Sequence, residues 1–252
     1  MEINMARHRF NKKRYFLMII LTAIILAVTA LFVIWLSGYR MVKYETEGHG
    51  VIRFIGKVDK KSEPFRGKMY FSDGTTARLE DGSEITYSNG DFYQGEIDSL
   101  MPHGEGNMVF AGGDKFEGDF RYGYPHGNGT FTYANGDVYV GALKYGKKHG
   151  YGTYTWAADL EGQSDCYKGE FKDNLKWGEG TYTWADGSVY EGTYVADSKN
   201  GQGIIKFSNG DSYEGDFYQD RITGFGSITF NGSDRPDYTG YFENGVIVRA
   251  QG

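Results

Sequence analysis

Three histidines, His103, His126 and His149, recur at a strict interval of 23 residues, each standing just before a glycine. Imidazoles at fixed spacing are what a ladder of metal sites would need. Distance argues against a shared ion. If each interval folds as two antiparallel strands, equivalent residues lie about 10 Å apart, whereas zinc needs each nitrogen at about 2.0–2.1 Å. The histidines are therefore read as loop side chains, and no metal or cofactor is expected. Carboxylates also recur, as in Glu117 with Asp119 and Glu214 with Asp216. A carboxylate pair hydrolyses glycosides when held about 5–9.5 Å apart across a cleft. These lie on the solvated side of a strand, with no burial to raise one pKa, so they read as a polar face. Gly48-x-Gly50 and its later copies lack the lysine and the following helix of a phosphate loop. The single cysteine, Cys166, excludes an intrachain disulfide and a cysteine zinc site. It precedes Tyr167 where Val138 and Val189 precede Tyr139 and Tyr190, and reads as a strand side chain in an apolar slot. Asn128-Gly-Thr130 and Asn231-Gly-Ser233 fit the glycosylation acceptor sequence, and both are expected in turns. No nucleophile–base or metal constellation survives, so the chain is expected not to be an enzyme.

The elements that carry these residues are repeats. Units open at Tyr93, Phe116, Tyr139, Tyr167, Tyr190 and Tyr213, each followed two residues on by Gly95, Gly118, Gly141, Gly169, Gly192 or Gly215. The Tyr139 unit is lengthened around Ala158 to Asp165, and a half unit from Tyr238 to Phe242 ends the series. Upstream, Phe65-Arg-Gly67 is taken to open a degenerate unit that closes in Tyr87-Ser-Asn-Gly-Asp91. Gly48 to Phe54 is read as the second half of a unit, by likeness to Gly201 to Phe207. Within a unit, Phe116, Gly118 and Phe120 and then Gly129, Phe131 and Tyr133 alternate with polar residues at period two, the pattern of two strands. Asn135-Gly136, Asp186-Gly187 and Asn209-Gly210 close units. Such pairs predict two-residue hairpin turns in which both residues take positive φ. The glycines leave room for a neighbouring ring to lie over the backbone, which gives a thin sheet something to bury.

Six successive units of Tyr-x-Gly, then Gly-x-Gly, then Asn/Asp-Gly-Asp/Ser resemble the MORN (membrane occupation and recognition nexus) repeat. The resemblance covers roughly residues 93–242 strongly and 48–92 weakly. It implies a twisted all-β array, without fixing one function. The expected fold is all-β: an elongated antiparallel β-meander of repeated 23-residue hairpins, preceded by one transmembrane α-helix.

That helix is read from composition. Arg14 and Arg40 bracket 25 uncharged residues, and Tyr15 to Leu36 is almost wholly apolar. About 20 apolar helical residues span a bilayer, and a cleaved signal is shorter with small residues at its exit. Arg7, Arg9, Lys12, Lys13 and Arg14 precede the segment, against Arg40, Lys43 and Arg53 after it. The positive flank puts the N-terminus in the cytoplasm and the repeats on the extracytoplasmic side. The expected organisation is a basic tail (1–14), a transmembrane helix (15–37), a juxtamembrane linker (38–47), degenerate repeats or a cap (48–92) and the repeat array (93–248).

The net charge of −6 excludes a nucleic-acid-coating role. Residues 69–252 alone carry 14 basic and 28 acidic side chains, whereas residues 41–68 are net basic. Anionic headgroups suit the basic juxtamembrane stretch and repel the array. The leading reading is a non-enzymatic, membrane-anchored scaffold or tether that presents its repeats to a protein partner. One alternative is a cell-envelope glycan-binding module that stacks sugars on the column Tyr133, Trp156, Trp184 and Phe207, a column also read as the array's own core. The other is a phospholipid-binding membrane adaptor.

Overall fold

The computed structural model describes residues 12–46, 50–232 and 235–248. The basic tail over 1–11, His49 with Gly48, and Ser233 of the second glycosylation sequence lie outside the described residues. The described chain forms one helix, α1 (Lys12–Leu36), and nineteen strands in one sheet. The strands are β1 (Tyr39–Thr46), β2 (Gly50–Val58), β3 (Pro64–Tyr70), β4 (Thr76–Glu80) and β5 (Glu84–Tyr87). Next come β6 (Phe92–Asp98) with β7 (Met101–Val109), β8 (Lys115–Arg121) with β9 (Tyr124–Thr132), and β10 (Val138–Lys144) with β11 (Lys147–Thr155). The later hairpins are β12 (Cys166–Lys172) with β13 (Leu175–Thr183), β14 (Val189–Val195) with β15 (Ser198–Lys206), and β16 (Ser212–Tyr218) with β17 (Arg221–Thr229). Strands β18 (Tyr238–Glu243) and β19 (Val246–Ile247) end the sheet. Every strand pairs antiparallel with the next in sequence, which makes an uninterrupted meander.

The core is built on one face of this single layer. Each unit's opening ring lies over the glycine pair formed where its two strands pair in register. Tyr139 covers Gly141 and Gly152, which face each other in register; a methyl group on Gly152 would come within 2.5 Å of the Tyr139 hydroxyl. The same holds for Phe116 over Gly118 and Gly129, so the covering ring is the unit's own and not a neighbour's. Tyr93, Tyr139, Tyr167, Tyr190 and Tyr213 are completely buried.

Each opening strand carries a bulge just after that glycine, as between Gly169 and Phe171. A bulged residue loses its ladder partner, and a buried carbonyl must find another donor. The tyrosine hydroxyl supplies it: Tyr139 donates to the carbonyl of Ala142 (2.7 Å), Tyr167 to Glu170 (3.0 Å) and Tyr213 to Asp216 (3.1 Å). The apolar residue beyond the bulge then wedges edge-on between consecutive opening rings. Phe171 meets Tyr139 at 5.3 Å and Tyr167 at 5.1 Å, and Phe217 meets Tyr190 at 5.1 Å and Tyr213 at 5.3 Å. Such T-shaped pairs add about 0.5–1.5 kcal/mol each beyond area burial.

Turns differ from the expectation. In the Asn135-Gly136 type of turn only the glycine has positive φ (+95° at Gly136), with Gly136 N–H on the Tyr133 carbonyl and Tyr133 N–H on that of Asp137. This is a three-residue loop ending in a left-handed glycine, not a two-residue turn. The two-residue turns lie at the other end of each hairpin, where both residues are left-handed: Asp173-Asn174 (50° and 77°) and Ala196-Asp197 (48° and 69°).

The N-terminal region is also more regular than expected. The stretch read as a linker over 38–47 carries β1, whose Val42 and Tyr44 pack against the core. Phe54 is fully buried over Gly56 and Gly67, so it opens a unit and does not close one; Phe65 is exposed. Aliphatic Ile52, Met69, Leu79 and Ile85 replace rings there. Between α1 and β1 stand only Ser37 and Gly38, whose φ of +83° ends the helix. Arg40 anchors the junction, donating to the Trp35 carbonyl (2.7 Å) and stacking on its ring (4.8 Å).

The ring-over-glycine geometry makes a specific prediction. Gly152→Ala forces a methyl into Tyr139 and is expected to cost about 1–3 kcal/mol, the range for overpacking. Gly112→Ala meets nothing within 4 Å and is expected to stay within about 0.5 kcal/mol of the parent. Urea denaturation of the full chain in mild detergent checks both; equal effects would remove the packing explanation.

Candidate functional site

The ring-bearing face has two rows of side chains. One is the buried row of opening rings and their wedges. The other comes from the second strands and the residue just past each, where Phe131, Tyr133, Tyr154, Trp156, Tyr182 and Trp184 form a continuous zigzag, half-buried, with successive centroids 4.7–5.8 Å apart. Tyr133, Trp156 and Trp184, the candidate stacking column, thus use much of their ring surface on one another's neighbours. Phe207 departs from them: it is 37% exposed. The opening residues Tyr93, Phe116, Tyr139, Tyr167, Tyr190 and Tyr213 and their glycines lie beneath, in the core.

Between the rows runs a file of lysines that lies outside the shared motif of the units. Lys148, Lys176 and Lys199 pair in register with Leu143, Phe171 and Tyr194, so their side chains share the ring face. Each is the tenth residue of its unit; the same position holds Pro102, Pro125 and Ile222 elsewhere. That recurrence, in phase with the repeat, is the signal that could have found them. The Lys148 ammonium lies 4.2 Å from the Tyr154 centroid and 5.6 Å from Phe171. Lys176 lies 5.0 Å from Tyr182 and 5.2 Å from Tyr194, and Lys199 lies 5.2 Å from Trp184 and 5.4 Å from Tyr190. The aliphatic stems cover apolar surface while the rings attract the charge. Burial pulls the Lys148 and Lys176 ammoniums below the usual lysine range, with Asp197 opposing. Lys199 pairs with Asp220 at 3.5 Å. Among the described residues, neither Lys148 nor Lys176 has a carboxylate within ion-pair distance. A recess of about 340 Å³ opens between those two, lined by Tyr154, Trp156, Tyr167, Phe171, Asn174 and Asp197.

The backbone that holds this file is stapled from unit to unit. The N–H groups of Lys176 and Lys199 donate to Asp197 (2.8 Å) and Asp220 (3.0 Å), in the turns of the following units. At the other edge, Asp137 accepts from the Ala157 N–H (2.7 Å), twenty residues on, and from the Tyr154 hydroxyl (2.6 Å). Asp165 does the same with Ala185 (2.8 Å) and Tyr182 (2.5 Å). Burial pushes the Asp137 carboxyl up, but the Tyr154 hydroxyl, the Ala157 N–H and the Asn135 amide together hold it below the usual range.

The histidines engage the turns of neighbouring units. His103 packs edge-on against Tyr122 (6.0 Å), the His126 Nδ1 accepts from the Tyr145 N–H (3.4 Å), and the His149 Nδ1 lies 3.9 Å from Asp173. No group of three His, Cys, Asp or Glu with metal-holding geometry occurs among the described residues. Asp119 and Asp216 accept from the backbone N–H groups of Asn128 (3.2 Å) and Phe225 (2.9 Å) across the bulge. Asn128 lies inside β9, not in the turn expected for it. Cys166 is half-buried beside Thr155. The segment Tyr15–Leu36 of α1 has a mean hydropathy of 3.0 and none of its 22 residues is buried, so it is long and apolar enough to cross a membrane.

The MORN-repeat family model matches six times, over residues 93–115, 116–138, 139–158, 167–189, 190–212 and 213–235, more than half of the chain. No curated protein sequence matches. Among solved structures, the TCP domain of Drosophila melanogaster SAS-4 (dCPAP), in complex with a proline-rich motif of Ana2, is 12% identical, with a TM-score of 0.38. The TCP10 domain of Danio rerio CPAP, in complex with a STIL peptide, is 13% identical, with a TM-score of 0.29. Each alignment covers 71% of this chain and 90% of the other.

The ring face also sets a response to alkali. Burial pushes the hydroxyls of Tyr93 and Tyr213 up to about 12, and those of Tyr139, Tyr167 and Tyr190 higher still. A raised folded-state value favours the neutral form, so the stabilisation is complete below pH 10 and is lost as pH rises from 10 through 12. Thermal midpoints of the full chain should therefore fall over that window, with phenolate absorbance appearing alongside unfolding. Free ionisation of these tyrosines near pH 10 without loss of structure would contradict the burial argument.

Proposed function

The chain belongs to the MORN-repeat family, and from that premise we propose that it is a non-enzymatic scaffold, held to a membrane by α1, that presents the ring face of its repeats to a protein partner. The observation that carries this reading is the open strip between the two ring rows, where half-buried aromatics and ammoniums reach the surface together. Such mixed aromatic and cationic surfaces are enriched at protein interfaces. The polar face offers less, because carboxylates on it such as Asp119 and Asp216 are engaged in bridging the bulges. The glycan reading is weaker, since most rings of the second row are packed against one another and a sugar needs an open ring face. The lipid reading is opposed by the acidic balance of the array.

A photo-crosslinker separates the two faces. Phe207→benzoylphenylalanine, on the ring face, is expected to give adducts with another protein in intact membranes. Tyr151→benzoylphenylalanine, 57% exposed on the polar face, is expected to give none. Self-adducts alone, or equal capture from both positions, would overturn the reading. Topology is tested with Leu160→Cys in a Cys166→Val background, because Leu160 is fully exposed in the extended turn. The proposed orientation expects an impermeant maleimide to label intact cells. Labelling only after permeabilisation reverses the orientation, and release by alkaline carbonate removes the anchor.

A further inference from the structure

Deepening that reading, we infer that the lysine file selects an acidic, extended protein segment whose carboxylates recur about every third residue. The repeats are strongly acidic, yet the ring face concentrates three ammoniums in consecutive units, flanked by Pro125 on one side and Ile222 on the other. Two of them, Lys148 and Lys176, are half-buried without a carboxylate partner among the described residues. A desolvated cation is costly, and ring faces offset only part of that cost. A ligand carboxylate supplies the rest as a charge-assisted hydrogen bond in a low-dielectric strip.

Geometry then sets the form of the ligand. Equivalent residues of successive units are two strands apart, about 10 Å, and the file runs across the strands. A three-fold extended helix rises about 3.1 Å per residue and returns side chains to one face every third residue, about 9.3 Å. An acidic residue at every third position of such a segment meets Lys148 and Lys176 in turn and reaches Lys199 in competition with Asp220. The residues between face the rings of the two rows. A helix, about 10–12 Å across, would bridge the recess between Lys148 and Lys176 without entering it.

The test uses the full chain in detergent micelles and a labelled nine-residue peptide of three Glu-Pro-Ala triplets. Binding is read by fluorescence anisotropy. The spaced peptide is expected to bind at least tenfold more tightly than its Gln-Pro-Ala counterpart and than an isomer with the three glutamates contiguous. Lys176→Ile and Lys148→Ile each copy the residue already accommodated at position 222, so the fold is preserved, which circular dichroism checks. Each should weaken the spaced peptide at least tenfold, and added salt should weaken it further. Equal binding of the three peptides, no binding, or indifference to either substitution overturns the inference. Preference of the lysines for phosphatidylserine vesicles over the peptide overturns it in favour of a lipid surface. If the peptide fails while the Phe207 crosslinker still captures a protein, the scaffold reading survives and this ligand chemistry does not.

Discussion

A ring lying flat over two facing glycines is the contact on which the molecule depends. A single-layer sheet has no second layer to pack against, so it must find its buried surface within its own thickness. Removing two β-carbons where paired strands meet lets an aromatic side chain fold down onto the backbone. Tyr139 over Gly141 and Gly152 shows the economy of the device. The bulge that follows leaves a carbonyl without a ladder partner, and the same ring's hydroxyl donates to it. Packing and polar satisfaction thus come from one residue. Only Phe116 breaks the pattern among the six, contributing the ring without the hydroxyl.

Everything beyond the unit is nearest-neighbour. Wedges such as Phe171 touch two consecutive rings, and aspartates such as Asp137 and Asp165 hold the backbone of the next turn. Stability in such an array is close to a sum of unit and interface terms. The lysine file is a by-product of the same arithmetic. The position across from each wedge always points at the ring face, so whatever residue occupies it, proline, lysine or isoleucine, sets the chemistry of the strip between the rows.

Much of this was legible in the sequence because it is written in spacing. The 23-residue period, the two-residue alternation and the uncharged run from Tyr15 to Leu36 fixed strand number per unit, strand faces and the helix. What escaped has physical reasons. Asn135-Gly136 has the composition of a two-residue turn, but composition does not say how many residues the flanking ladder leaves over. Of the true two-residue turns, Asp173-Asn174 and Ala196-Asp197 carry no glycine, while Tyr122-Gly123 and Tyr145-Gly146 carry one only at the second position. Phe54-Ile-Gly56 has the aromatic-x-Gly form of the later openings but stands off their 23-residue spacing, and Phe65-Arg-Gly67 offers the same form without the buried ring. The stretch over 39–46 is polar enough to read as linker, yet its Val42 and Tyr44 alternate toward the core. The lysines were missed because motif reading attends to residues every unit shares, whereas a binding surface is made by those that differ.

The extended turn between β11 and β12 is braced internally, with the Asp159 carboxylate accepting from the Glu161 and Gln163 N–H groups, both at 2.9 Å. It falls between the first and second lysines. A perfectly periodic surface is degenerate: a partner that fits it once fits it equally well shifted by one period, and so diffuses along it as on a track. One interruption lifts that degeneracy. For the proposed ligand the turn would serve as an index mark, setting the first lysine apart from the second and third.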